Sequence, residues 1–81
     1  MKTLRFDIHL RRMEVLPRIL LLIARLGGTV QAVRAADGRV DLTIETPDEV
    51  AHRFGPQIGR IVEVTEVHPL DVAAEAPAGD A

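Results

Sequence analysis

The sequence predicts a small α+β domain in which one antiparallel sheet of four strands carries two helices on a single face. Three observations lead there. Two segments, TLRFDIHL and RVDLTIET, alternate apolar and polar residues with the period of a half-buried strand. LPRILLLIARLGG is apolar at helical spacing and ends in two glycines. Asp37-Gly38 suits the positive φ values of a tight hairpin between two strands.

In the first strand Leu4, Phe6, Ile8 and Leu10 point one way, and Arg5, Asp7 and His9 the other. The helix that follows is expected to begin near Glu14, because Pro17 fits only within its first turn, where a missing N–H is harmless. It should stop at Gly27-Gly28, a glycine C-cap. Its apolar residues, from Met13 to Leu26, fill an arc of about 200°, with Glu14, Arg18 and Arg25 opposite and Leu21 beside them. The unbroken apolar run, Ile19 to Ala24, is far shorter than the roughly 20 residues a membrane span needs.

TVQAVRA forms the second strand, and RVDLTIET the third, with Val40, Leu42 and Ile44 on one face. TPDE announces the second helix. Thr46 is its expected N-cap, Pro47 its first residue and Glu49 the capping-box partner, with Val50, Ala51, Phe54 and Ile58 buried. Gly55-Pro56 must shorten or kink it, since Pro56 cannot donate to the carbonyl of His52. RIVEVTEVHPL supplies the fourth strand, its faces blurred by the doublet Ile61-Val62. From Asp71 onward the chain is small-residue, acidic and proline-containing, which predicts a disordered tail over 71–81 behind a domain over 1–70. The order strand, helix, strand, strand, helix, strand is the split βαβ duplex, with spatial strand order 4-1-3-2: the ferredoxin-like class.

Composition narrows the chemistry. The 81 residues are 47% hydrophobic and 27% charged, with a net charge of -2, which suits a globular domain and argues against phosphate-neutralising function. Cysteine, serine, asparagine, tyrosine and tryptophan are all absent, removing thiol and serine nucleophiles and many orienting groups. Asp7 and Glu14 interrupt the N-terminal apolar pattern, which argues against a signal peptide and predicts a cytoplasmic protein.

Each chemical possibility then has a location to be tested. His9, His52 and His68 lack metal-ligand spacing, and the proposed topology is expected to hold His9 and His68 at opposite edges of the sheet, so no metal site is predicted. The open sheet face is expected to carry Arg5, Asp7, His9, Arg39, Asp41, Thr43 and Glu45 and no aromatic ring, which argues against single-stranded RNA. Arg5 and Asp7 can pair with Glu45 or Arg39 across strands; the alternative use of that face is docking of a larger partner. Glu14, Asp37, Asp41, Glu45 and Glu49 are scattered over turns, caps and exposed positions, which argues against catalysis.

Within this topology, MEVLPRILLLIARLGGTVQAV resembles the signature segment of the ACT domain, an amino-acid-sensing regulatory module. Val15, Leu16, Arg18, Ile19, Leu22, Ala24, Arg25, Gly27 or Gly28 and Val30 fall into its strand-loop-helix-turn pattern, and the similarity extends over Leu4 to about Leu70. The short single-domain form is similar to small regulatory subunits of acetolactate synthase. The resemblance implies a homodimer that binds and activates a large thiamine-diphosphate-dependent catalytic subunit in branched-chain amino-acid synthesis, with no cofactor of its own. The alternative is a stand-alone amino-acid sensor acting on another enzyme or on transcription.

The resemblance also implies an effector site, for a branched-chain amino acid, between the loop of one protomer and the start of the second strand in its neighbour. By position these are Arg11, Arg12, Met13, Glu14 and Val15, and Gly28, Thr29, Val30 and Gln31. Met13-Glu14 stands where the family commonly has Pro-Gly, bringing bulk and a charge that repels a carboxylate, while Arg11 and Arg12 offer cationic contacts. The helix is apolar over more of its circumference than one sheet can cover, so Val15, Leu22 and Leu26 are candidates for contact with another chain.

Overall fold

The computed structural model describes residues 1–70; the tail expected over 71–81 lies outside the described residues. Strands β1 (Lys2–Leu10), β2 (Thr29–Ala36), β3 (Arg39–Thr46) and β4 (Val64–Leu70) form one sheet in the order β2-β3-β1-β4, every neighbouring pair antiparallel. Helix α1 (Leu16–Arg25) joins β1 to β2, and α2 (Phe54–Gly59) lies between β3 and β4. This is the ferredoxin-like arrangement that the sequence predicts.

The core follows from the two alternating strands. Phe6, Ile8 and Leu10 of β1 and Val40, Leu42 and Ile44 of β3 are buried, and Ile19, Ile23, Phe54 and Ile58 close over them from the helices. Each buried side chain of this size contributes about 1.5–3 kcal/mol, enough for a thin core to hold a chain this short. Both phenylalanines lie within it.

Glycines set the turns. Gly27, at φ 93°, takes the left-handed position after α1; its N–H donates to Ala24 O and that of Gly28 to Ile23 O, a Schellman closure. A Cβ on Gly28 would stand 2.9 Å from Ile23 Cγ2 and from the Phe54 ring, so the start of β2 can approach the core only without a side chain. Asp37 (φ 52°) and Gly38 (φ 82°) make the left-handed pair of the β2–β3 hairpin.

Several local expectations need correction. Helix α1 begins at Leu16, after a 3₁₀ turn over Met13–Val15, with Pro17 in its first turn. Thr46 and Glu49 form no capping box: Thr46 is the fully buried last residue of β3, paired with Lys2, and its hydroxyl donates to Pro47 O. Extended Pro47 (ψ 144°) instead leads into a 3₁₀ segment, Asp48–Arg53, and the α-helix starts only at Phe54. Pro56 thus falls in the first turn of a six-residue α2, where its missing donor is harmless. The fourth strand begins at Val64 rather than Arg60; Ile61 packs against the core and Val62 is exposed.

His9 and His68 are not at opposite edges. Only the second half of β1 pairs with β4, so Asp7 stands opposite His68 and His9 opposite Glu66. Val15, proposed for contact with another chain, is 5% exposed and belongs to the core, because the 3₁₀ turn points it inward ahead of α1. No helix among the described residues is long and apolar enough to cross a membrane.

Candidate functional site

Two regions of the surface carry groups able to bind. The first is the open face of the sheet, opposite the helices. Register places Arg5, Asp7 and His9 of β1 beside Thr43, Asp41 and Arg39 of β3. Arg5 grips Asp41 with two bonds, Nε to Oδ1 at 3.0 Å and Nη2 to Oδ2 at 2.6 Å, a bidentate fork. Arg39 Nη2 donates to Asp7 Oδ2 at 2.9 Å. Of the cross-strand pairs expected, Arg39–Asp7 forms, while Arg5, which faces Thr43 and has both Glu45 and Asp41 as diagonal neighbours, takes Asp41.

These bonds decide the acidity of the face. Hydrogen bonding from Arg39 holds Asp7 below the ordinary carboxylate range, and hydrogen bonding from Arg5 does the same for Asp41. Glu66 is lowered chiefly by its bond with His68, whose Nε2 donates to Oε1 at 2.6 Å. Carboxylates shifted in this direction are held ionised and are poor proton donors near neutrality. A shallow depression of about 400 Å³ lies over the paired charges, lined by Arg5, Asp7, Arg39 and Asp41 with Arg34 and Leu70 at its margin.

Beside it, between β1 and β4, His9, Glu66 and His68 converge. The His9 and His68 ring centroids are 5.6 Å apart, edge to face. Asp7 Oδ2 lies 3.5 Å from His9 Nε2. Next to this group the β1–β4 register slips: His9 faces Glu66 but Leu10 faces Val64, so Thr65 is the extra residue of a bulge. Its hydroxyl donates to His9 O at 3.2 Å. The alternation of Glu66, Val67 and His68 shows in the sequence that the acid and the imidazole share a face; their neighbour across the ladder does not show.

The second region is the site implied by the resemblance. Arg11, Arg12, Met13 and Glu14 form an exposed to half-exposed loop after β1, with Val15 tucked into the core behind it. Arg11 N donates to Glu63 O, which ties the loop to the approach to β4, and Arg12 Nη2 lies 4.0 Å from Glu14 Oε2. The Arg11 guanidinium makes no hydrogen bond or ion pair among the described residues. Gly28, Thr29, Val30 and Gln31 lie at the other end of the sheet, where Thr29 pairs with Glu45 and Glu45 with Thr3. Eight residues of β1 separate the two levels, about 26 Å at strand spacing. One chain therefore does not bring the two halves together. Gln31 is itself a bulge, skipped between Val30 and Ala32 in the pairing with β3.

Of the residues expected to meet another chain, Leu22 is half-buried on α1 and Leu26 half-buried at its C-cap. Leu22 joins Arg18, Leu21, Arg25 and Ile61 around a hollow of about 200 Å³, and Leu21 is 53% exposed. Past α1, strand β2 is barely covered: Val30 is half-buried, whereas Val33 and Ala35, on the helix side of the sheet, are exposed.

No family model matches the chain, and no curated protein matches it either.

Proposed function

We propose that the chain is a non-catalytic regulatory subunit of the ACT type, a cytoplasmic homodimer that binds and activates the large catalytic subunit of acetolactate synthase. The observation that carries the reading is the bare edge of β2. Its eight residues, TVQAVRAA, hold one charge and no proline, and its helix-side residues Val33 and Ala35 lie open beside it. An edge of this kind is a template for a further strand.

Pairing two such edges antiparallel about a two-fold axis joins the sheets into one of eight strands. The same operation supports the placement of the effector site. The loop after β1 lies at the end of the sheet where β2 finishes, since Leu10 N donates to Gly38 O and Arg39 pairs with Ala36. A second β2 running antiparallel would start at that end, bringing the second copy's Gly28–Gln31 toward the first copy's Arg11–Val15. The separation within one chain thus becomes proximity between two.

The identity of the catalytic partner rests on the resemblance of the β1–α1–β2 segment. Leu21, Leu22 and the hollow by Ile61 offer apolar surface for it. Coexpression with the acetolactate synthase large subunit tests the reading: a stable complex with a raised catalytic rate is expected, and no complex with an unchanged rate would sink it. The Arg11 guanidinium, which makes no hydrogen bond or ion pair among the described residues, favours a second reading, a stand-alone sensor that captures an amino-acid carboxylate. Calorimetric titration of the isolated protein with valine, leucine and isoleucine separates the two, because only the sensor requires tight binding without a partner.

A further inference from the structure

We propose that His9, Glu66 and His68 form a binding site for a borderline divalent cation, with Zn²⁺ the best fit, on the open face between β1 and β4. The site does not depend on the regulatory reading above and stands or falls separately from it.

The backbone brings the three together. His9 and Glu66 are directly paired residues of adjacent strands, and His68 is two positions further along β4 on the same face. One ligand atom from each lies within 4.8 Å of the others. In a tetrahedral site with bonds of 2.0–2.1 Å, neighbouring ligand atoms stand about 3.3 Å apart, so the contraction required is small. Glu66 and His68 side chains are more than half exposed and can supply it by rotation. The strands themselves need not move.

The donor set selects the ion. Two imidazoles and one carboxylate match Zn²⁺, Co²⁺ or Ni²⁺, whereas Ca²⁺ and Mg²⁺ take oxygen ligands almost throughout. Three protein ligands leave one position for water, as in open zinc sites. Behind His9, Asp7 Oδ2 lies 3.5 Å from Nε2 and is itself held by Arg39 at 2.9 Å. A carboxylate so placed can accept the second ring N–H and orient the imidazole, as outer carboxylates do in metal centres. The Thr65 bulge adds a reason for the geometry. It shortens the pairing by one step exactly beside His9, so that Val64 returns to the core opposite Leu10 while Glu66 keeps the open face. The short His68–Glu66 bond is then the metal-free form, in which a proton occupies the place of the cation.

The test is calorimetric titration of the untagged full chain with Zn²⁺ at pH 7.5, together with Co²⁺ absorption, compared across single variants. Saturable binding of one equivalent per chain is expected, with a tetrahedral Co²⁺ spectrum. His9→Gln and His68→Gln should each abolish it, Asp7→Asn should weaken it by about tenfold or more, and His52→Gln, on the distant 3₁₀ segment, should leave it unchanged. Circular dichroism identifies any variant that fails to fold. Imidazole proton resonances of the unmodified chain give an independent reading, with His9 and His68 shifting on Zn²⁺ addition and His52 not. Absence of saturable binding overturns the proposal. So does binding that survives His9→Gln and His68→Gln, or resonances of His52 that move instead.

Discussion

The two edges of the sheet differ in almost every respect that governs how an edge behaves. β4 is short, carries Glu66, His68 and Pro69, contains a bulge, and is packed against α2. β2 is one residue longer, carries a single charge at Arg34, pairs without a break from Ala32 to Ala36 beyond its bulge at Gln31, and leaves helix-side Val33 and Ala35 open to solvent. Proline on an edge strand removes a donor and charge discourages a neighbour. Both edges bulge, β2 at Gln31 and β4 at Thr65, so it is Pro69, Glu66 and His68 that guard β4 and have no counterpart on β2 beyond Arg34. A domain that guards one edge and leaves the other bare has the asymmetry expected of a strand surface kept for a partner.

The largest predicted effect breaks the guarded side. Phe54→Ala removes a fully buried ring between α2, α1 and Gly28, and is expected to cost about 3–5 kcal/mol in urea-induced unfolding. Val33→Ala, on the bare side, should cost less than about 1 kcal/mol in the same measurement. Equal costs would contradict the contrast.

Gly28→Ala comes next, because its Cβ would meet Ile23 and Phe54 at 2.9 Å; a loss of about 1–3 kcal/mol is expected from overpacking. It probes the one point where bare β2 is anchored to the core. Val33→Lys places a charge on the unguarded edge. Sedimentation should show the dimer weakened by about tenfold, the scale of 1.4 kcal/mol, with the unfolding midpoint almost unchanged. A monomer before the substitution would contradict the pairing of β2 edges.

The smallest effect is on pH dependence. Asp7 and Asp41 have their folded pKa values lowered by Arg39 and Arg5. The stability they add is therefore present above their unfolded value, near 3.8, and is lost as pH falls through the lower folded values. The pairs are partly solvated, so each adds about 1 kcal/mol or less. Arg5→Gln should lower the urea midpoint at neutral pH slightly and flatten its decline between about pH 4 and pH 2.

The sequence reveals these regions unequally. Alternation in β1 and β3, the Asp37-Gly38 hairpin and the Gly27-Gly28 stop are written locally, because each depends on a residue's own backbone preference or on a period of two. Thr46 misled as a cap because, as the last residue of β3, it pairs with Lys2 and is fully buried, and a 3₁₀ segment follows Pro47, none of which a local Thr-Pro-Asp-Glu pattern encodes. The residues expected to hold an effector were placed only through resemblance, and the chain alone leaves their two groups at opposite ends of the sheet. His9, Glu66 and His68 escaped because their meeting depends on which half of β1 receives β4 and on a one-residue slip at Thr65. Register of that kind is decided by how the whole sheet packs on its helices.

Pro69 has a consequence for stoichiometry. Self-association through strand edges continues indefinitely when both sides of a sheet accept a neighbour, and ends in fibres. Here the β4 edge lacks a donor at Pro69, so in the proposed dimer β2 would take β2 of the second copy rather than β4. In such a dimer both outer boundaries of the joined sheet would be β4, and growth would terminate at two copies.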